Sequence, residues 1–155
     1  EVRGMSQRAG AFQSHLRISD REIHADLFTV GRADLIVSVE PLEALRYLPF
    51  LGPGGRTVTA IEPFINMPDY PPIEAVIAEL RRTAEPLLVD AAALAREAGS
   101  PRTSNMVMLG AAAPFTALDP SQLEAAIEKI FEAKGEDTVA MNIRAFRKGL
   151  ALSQP

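Results

Sequence analysis

Residues 34–48 read DLIVSVEPLEALRYL, and their reading decides the fold. The first half, DLIVSVE, is a β-branched apolar run bounded by acids, the pattern of a strand buried on both faces. Pro41 follows at once, where a helix's first turn tolerates proline because no bonded N–H is lost. Leu42, Leu45 and Leu48 then recur at near-helical spacing until Pro49. The stretch is a strand, a very short turn and a helix, which is half of a βαβ unit.

The same alternation continues downstream. LGPGG (51–55) reads as a turn cluster, and RTVTAIE (56–62) as the next strand. PFINMPDYPP (63–72) holds four prolines in ten residues and must be irregular. A helix is predicted over 73–84, with Ile73, Val76, Ile77 and Leu80 on one face. EPLLVDA (85–91) offers another short strand, and 92–99 a short helix ended by Gly99.

SNMVMLGAAA (104–113) is apolar all round and reads as a buried helix, capped by Ser104 or Asn105. Gly110 and the three alanines there would admit another backbone at close range. Asp119-Pro120-Ser121-Gln122 is a helix start, with a cap residue, proline at the first position and glutamine three after the cap. Leu123, Ile127, Ile130 and Phe131 mark its apolar face, and Lys134-Gly135 ends it. Val139, Ile143, Phe146 and Leu150 define a final amphipathic helix.

Upstream, AFQSHLRIS (11–19) alternates, with Phe12, Ser14, Leu16 and Ile18 on one side, and predicts a half-exposed strand. Residues 1–10, EVRGMSQRAG, have no periodicity and read as a loop. The order of elements predicts an α/β protein, its mainly parallel sheet flanked by helices in three Rossmann-like layers, with a helical C-terminus. The 155 residues suit a single domain, 1–155, with no internal repeat or linker.

Composition narrows the function. A formal charge of −4 argues against a nucleic-acid binder, which would carry a basic stripe. Zero cysteines exclude disulfides, thiolate zinc sites, cysteine-held clusters and a thiol nucleophile in this chain, and fit a reducing cytoplasm. No apolar run reaches the roughly 20 residues that cross a bilayer. Glu1 stands where an initiator Met would, so the visible start is expected to follow a further segment.

Ligand sites of parallel sheets lie beyond the carboxyl ends of strands. The candidates there are Glu40, Glu62 with the proline-rich loop after it, and Asp90. An acid between strand and helix is more often a cap or dipole partner, and that role is favoured for each. His15 and His24 make no metal set, and His15 reads as an exposed strand or interface residue. GPGG (52–55) precedes a strand where a phosphate cradle would open a helix, and no Gly-x-Ser-x-Gly elbow is present. In the opening loop, Arg3 and Arg8 carry guanidinium forks suited to carboxylates or phosphates. Gly4 and Gly10 permit unusual backbone shapes, and Ser6 and Gln7 add neutral hydrogen-bonding groups. Solvated charge on a chain end is the simpler account of that loop.

EVRGMSQRAGAFQSHLRIS resembles the characteristic segment of the gamma-type domain of 2-oxoacid:ferredoxin oxidoreductases, and within that family the small (beta) subunits of the indolepyruvate enzymes. The resemblance continues in order through ADLIVSVEPLEALRYLPFL, SNMVMLGAAA and LEAAIEKIFEAKGEDTVAMNIRAFRKG, and so covers nearly the whole chain. Two departures stand out. The family's N-terminal βα unit with its GxGGQG turn is missing here, and Ala9 stands where relatives show a glycine.

The resemblance implies a share in oxidative decarboxylation of a 2-oxoacid with coenzyme A to acyl-CoA and carbon dioxide. It implies that thiamine diphosphate and iron–sulfur clusters sit in a large partner subunit that passes electrons to ferredoxin, and that this chain alone binds no cofactor. Residues 3–10, with Arg3 and Arg8, would then line a substrate, coenzyme A or partner surface. Two other readings stay open: a free-standing nucleotide-binding or regulatory α/β module, and a hydrolase using the strand-end acids Glu40 or Asp90.

Overall fold

Parallel strands cannot be joined by a tight turn, so every connection must cross a face of the sheet. In the computed structural model, which describes residues 13–25, 27–65 and 67–153, helices make those crossings. Strands β1 (Ala33–Ser38), β2 (Leu51–Ala60) and β3 (Leu87–Val89) pair in parallel in the order β1-β2-β3. Helix α1 (Pro41–Tyr47) joins the first two strands, and α2 (Ile73–Ala84) joins the second pair. Then α3 (Ala91–Ala98), α4 (Ser104–Ala112), α5 (Pro120–Phe131) and α6 (Glu136–Ala151) complete the described chain. The architecture is the expected one: a parallel sheet, helices on it and a helical C-terminal region.

Side chains alternate across a strand, so β2 serves two layers. Val58 and Ala60, with Val89 of β3, pack on Ala91, Ala95 and Ala98 of α3, Val107, Met108, Ala111 and Ala112 of α4, and Ala145 of α6. Thr57 and Thr59 are also buried and, by the pleat, point the other way. A separate cluster joins Ala44 of α1 to Val76 and Leu80 of α2. A third, around Ala113, Ile127 and Phe146, fastens α5 and α6 to the end of α4.

The alanine-rich α3 and α4 are small enough to bring α6 in close. At the crossing of α4 and α6 the backbones touch. A Cβ on Gly110 would sit 1.9 Å from the Phe146 carbonyl oxygen, and one on Gly149 1.9 Å from that of Val107. Polar contacts secure the same helix. The Arg144 guanidinium donates twice to the Ala98 carbonyl, each at 3.2 Å, at the end of α3 where carbonyls lack helical partners. The Arg147 fork meets the Glu124 carboxylate at 2.8 and 2.7 Å. Ser153 Oγ donates to the Ala111 carbonyl at 2.7 Å.

Four local expectations are corrected. β1 is an edge strand among the described residues, so Val37 is half-exposed instead of buried on both faces. Residues 13–19 form no strand, and their alternation is inverted: Leu16 and Ile18 are exposed while His15 and Arg17 are half-buried. LGPGG belongs to β2 but does not pair regularly, because the register jumps from Ala33–Leu51 to Leu35–Arg56 and the glycines bulge out between. In α5 the covered stripe runs through Leu123, Ile127 and Phe131, which leaves Ile130 exposed at its margin.

Helix ends follow cap chemistry. Asp119 and Gln122 form the predicted capping box on α5. Thr103 precedes α4 without a side-chain cap, and the 3-10 turn before it (Pro101–Thr103) is capped by Ser100 in place of Ser104 or Asn105. Gly99 closes α3 at a φ of 120°. Glu85 closes α2 in the left-handed region at a φ of 41°, where glycine is the usual occupant.

Candidate functional site

The carboxyl ends of the three strands open on one cleft of about 240 Å³. Its walls are Val39 after β1, Ala60 and Glu62 at the end of β2, Ala91 and Ala92 at the start of α3, and Pro101, Ser104 and Met108 around the start of α4. This is where a parallel sheet offers a site, since strand ends and helix starts converge there. The lining is mostly apolar, with one carboxylate and one hydroxyl.

The three strand-end acids divide by role. Glu40 caps α1, its Oε2 accepting from the Glu43 N–H at 2.7 Å. Asp90 caps α3, its Oδ1 accepting from the Ala93 N–H at 2.9 Å. Of the three, Glu62 alone lines the cleft, and it is exposed. Capping follows from position: an acid just before a helix meets free N–H groups and the positive end of the helix dipole.

Glu40 has a second bond that the sequence does not announce. The Tyr70 hydroxyl donates to its Oε1 from thirty residues away. Burial and the neighbouring Glu40 carboxylate push the Tyr70 phenol well above its usual range, so the hydroxyl keeps its proton. The bond ties the far end of the proline-rich loop to the turn after β1. The near end is fixed by the Ile61 N–H donating to the Val89 carbonyl at 3.0 Å.

His15 is half-buried and lies on no strand. Its Nδ1 accepts from the Phe28 N–H at 2.9 Å. Its ring stacks on Phe28 at 5.6 Å and meets Phe50 edge-on at 6.0 Å. Arg17 lies over the same Phe28 ring at 5.1 Å, and its Nη1 donates to the Ala25 carbonyl at 2.8 Å. His24 is exposed. Among the described residues no three His, Asp or Glu side chains gather as a metal site. Nor is any described helix long and apolar enough to cross a membrane. Arg3, Gly4, Ser6, Gln7, Arg8 and Gly10 lie outside the described residues.

Val39, Pro101 and Ser104 are cleft residues to which sequence reading assigned no site role. Ser100-Pro101 carried a signal, because serine before proline marks a capped turn between two helices. The Tyr70–Glu40 bond carried none, since its partners stand thirty positions apart.

Residues 1–152 match the family model described as pyruvate ferredoxin/flavodoxin oxidoreductase. The chain is similar to the indolepyruvate oxidoreductase subunit IorB of Methanothermobacter thermautotrophicus, 34% identical over 96% of this chain and 78% of the relative. It is similar to the subunit of the same name from Archaeoglobus fulgidus, 33% identical over 96% of this chain and 76% of the relative. Its fold resembles a solved 2-oxoglutarate:ferredoxin oxidoreductase from Magnetococcus marinus, with a TM-score of 0.63 and 23% identity over 87% of this chain. That structure holds 2-oxoglutarate, coenzyme A and succinyl-CoA, and the present chain spans 22% of its length. A match running from residue 1 to residue 152, together with the shared α/β layers, places this chain in the pyruvate ferredoxin/flavodoxin oxidoreductase family.

Proposed function

We propose that this chain is the small subunit of a 2-oxoacid:ferredoxin oxidoreductase of the indolepyruvate type. The supporting observation is the 34% identity to an indolepyruvate oxidoreductase subunit across 96% of the chain. The assembled enzyme would cleave carbon dioxide from an aryl-type 2-oxoacid, join the acyl group to coenzyme A, and send the two released electrons to ferredoxin. Thiamine diphosphate would supply the carbanion chemistry from the large subunit. The residues of this chain do not fit an iron–sulfur cluster, because it has no cysteine to supply a thiolate. Electron transfer is therefore assigned to the partner, and assembly and substrate positioning to this chain. The absence of cysteine also supports a reducing, cytoplasmic setting.

Positioning is assigned to residues 3–10. Arg3 and Arg8 would hold the 2-oxoacid carboxylate or a coenzyme A phosphate, since a guanidinium fork pairs with both. Gly4 and Gly10 would supply the backbone freedom, and Ser6 and Gln7 neutral donors and acceptors.

Affinity purification from the source cell tests the assignment. A large thiamine-dependent, iron-containing partner is expected to co-purify, with activity in the complex and none in the isolated chain. Decarboxylation by the isolated chain would refute it, as would nucleotide binding by a chain found without a partner. Within the complex, Arg8→Glu should raise the KM for coenzyme A or 2-oxoacid roughly tenfold or more while assembly survives. Unchanged kinetics would remove Arg8 from the role.

A further inference from the structure

Large apolar side chains gathered in one exposed place mark an interaction surface, since covering them is worth about 25 cal/mol per Å². The carboxyl edge of the sheet holds three of them. Val39, Phe64 and Ile65 are 67%, 67% and 70% exposed. Val39 forms part of the cleft wall, and Phe64 and Ile65 follow Glu62 of the same wall by two and three residues. Their loop is held at one end by the Ile61–Val89 hydrogen bond and at the other by the Tyr70–Glu40 bond. The loop that carries Phe64 and Ile65 is thus pinned at its two ends.

Charge indicates what covers it. Glu62, Asp69 and Asp90 are exposed on the same loops, against Arg102 on the turn beside Pro101. A matching surface would place an apolar side chain in the 240 Å³ cleft and a lysine or arginine near Glu62.

We propose that this edge docks the large subunit, through an apolar surface rimmed with basic side chains. The assignment rests on the small-subunit reading, and it names the face that reading needs. Phe64 and Ile65 would be the anchors, because large side chains that become fully covered carry most of the energy of an interface. The basic rim would set orientation and speed association.

The test is co-expression of the large subunit with four forms of this chain, followed by affinity measurement. The wild type should bind. So should Ile130→Asp, which places the same charge on a side chain 68% exposed on α5. Phe64→Asp with Ile65→Asp should weaken binding roughly tenfold or more, with a melting temperature near that of the wild type. Glu62→Lys, which spares the apolar groups, should slow association and invert its salt dependence, and it decides the matter if the double variant does not fold. Unaltered affinity in both Glu62→Lys and the folded double variant would overturn the proposal. So would a double variant that breaks a pairing between two copies of this chain and leaves the large subunit bound. If the wild type itself does not bind a large subunit, the small-subunit reading falls as well, and the two failures are told apart by that control.

Discussion

The crossing of α4 and α6 and the segment 13–32 are opposite solutions to holding a chain in place. At the crossing, two glycines let backbones meet and alanines fill what little space remains. In the segment, a ring stack, a cation over a ring and a few hydrogen bonds hold an irregular chain whose Leu16, Ile18 and Val30 face water. Close packing leaves no adjustable part, because interiors are as dense as organic crystals. A strap held by a few side chains is adjustable and opens locally at little cost. The helical side thus supplies the rigid frame, and exposed apolar residues are carried on loops and straps around it.

The sharpest way to break this contrast is to add one methyl at the crossing. Gly110→Ala or Gly149→Ala puts a carbon where a carbonyl oxygen already lies, so α4 and α6 must separate along their length. A loss of about 3 kcal/mol or more is expected in denaturant unfolding. A loss below 1 kcal/mol would show that the helices adjust freely and that the frame is not rigid.

Asp119→Ala probes the same side at its margin. It deletes the cap that accepts from the Ser121 N–H at 2.8 Å, and about 1 kcal/mol should be lost. Asp119→Asn should recover most of it, since an amide oxygen also accepts that bond.

Smaller still is the exposed Arg147–Glu124 pair. Its hydrogen-bonded guanidinium holds the Glu124 carboxyl below the usual carboxylate range. A carboxyl whose folded value is lowered stabilises the fold above its unfolded value, and that stabilisation is lost as pH falls through the folded one. Arg147→Met should therefore cost less than about 1 kcal/mol at neutral pH, and nothing further once the medium is acid enough to protonate Glu124. Equal destabilisation at both pH values would point to lost packing of the arginine stem.

Global stability should barely move in His15→Leu, which keeps bulk in the stack but removes the acceptor for the Phe28 N–H. The change belongs to hydrogen exchange, where the Phe28 amide should lose its protection while amides of α4 and α6 keep theirs. Loss of protection across both regions would mean that strap and frame unfold together, against the contrast drawn here.

How much of this was legible in the sequence follows the same division. Elements on the frame were readable because period and punctuation agree: Pro41 and Asp119-Pro120 open helices, Gly99 and Gly135 close them, and apolar residues recur at helical spacing. Close approach at Gly110 was legible, but its partner Gly149 was not, because the reading followed the large residues of α6 and passed over the small ones. In 13–19 alternation suggested a strand, yet the rule reports only which residues differ, and no neighbouring strand fixes which face is covered. Glu40 and Asp90 cap their helices as local position suggests, whereas Glu62, for which the same role was favoured, lines the cleft. Of the cleft, only its place at the carboxyl ends of the strands and Glu62 were visible, because Val39, Pro101 and Ser104 are brought there by the sheet and not by the sequence order.

Glu85 carries a consequence of its own. A side chain is kept where α2 ends in a conformation that suits glycine, so a reserve of thermal tolerance lies unused at that corner. Growers of recombinant material could claim it with Glu85→Gly, a change at an exposed position outside every contact described above. A protein engineer who wants a hardier scaffold would begin at that corner.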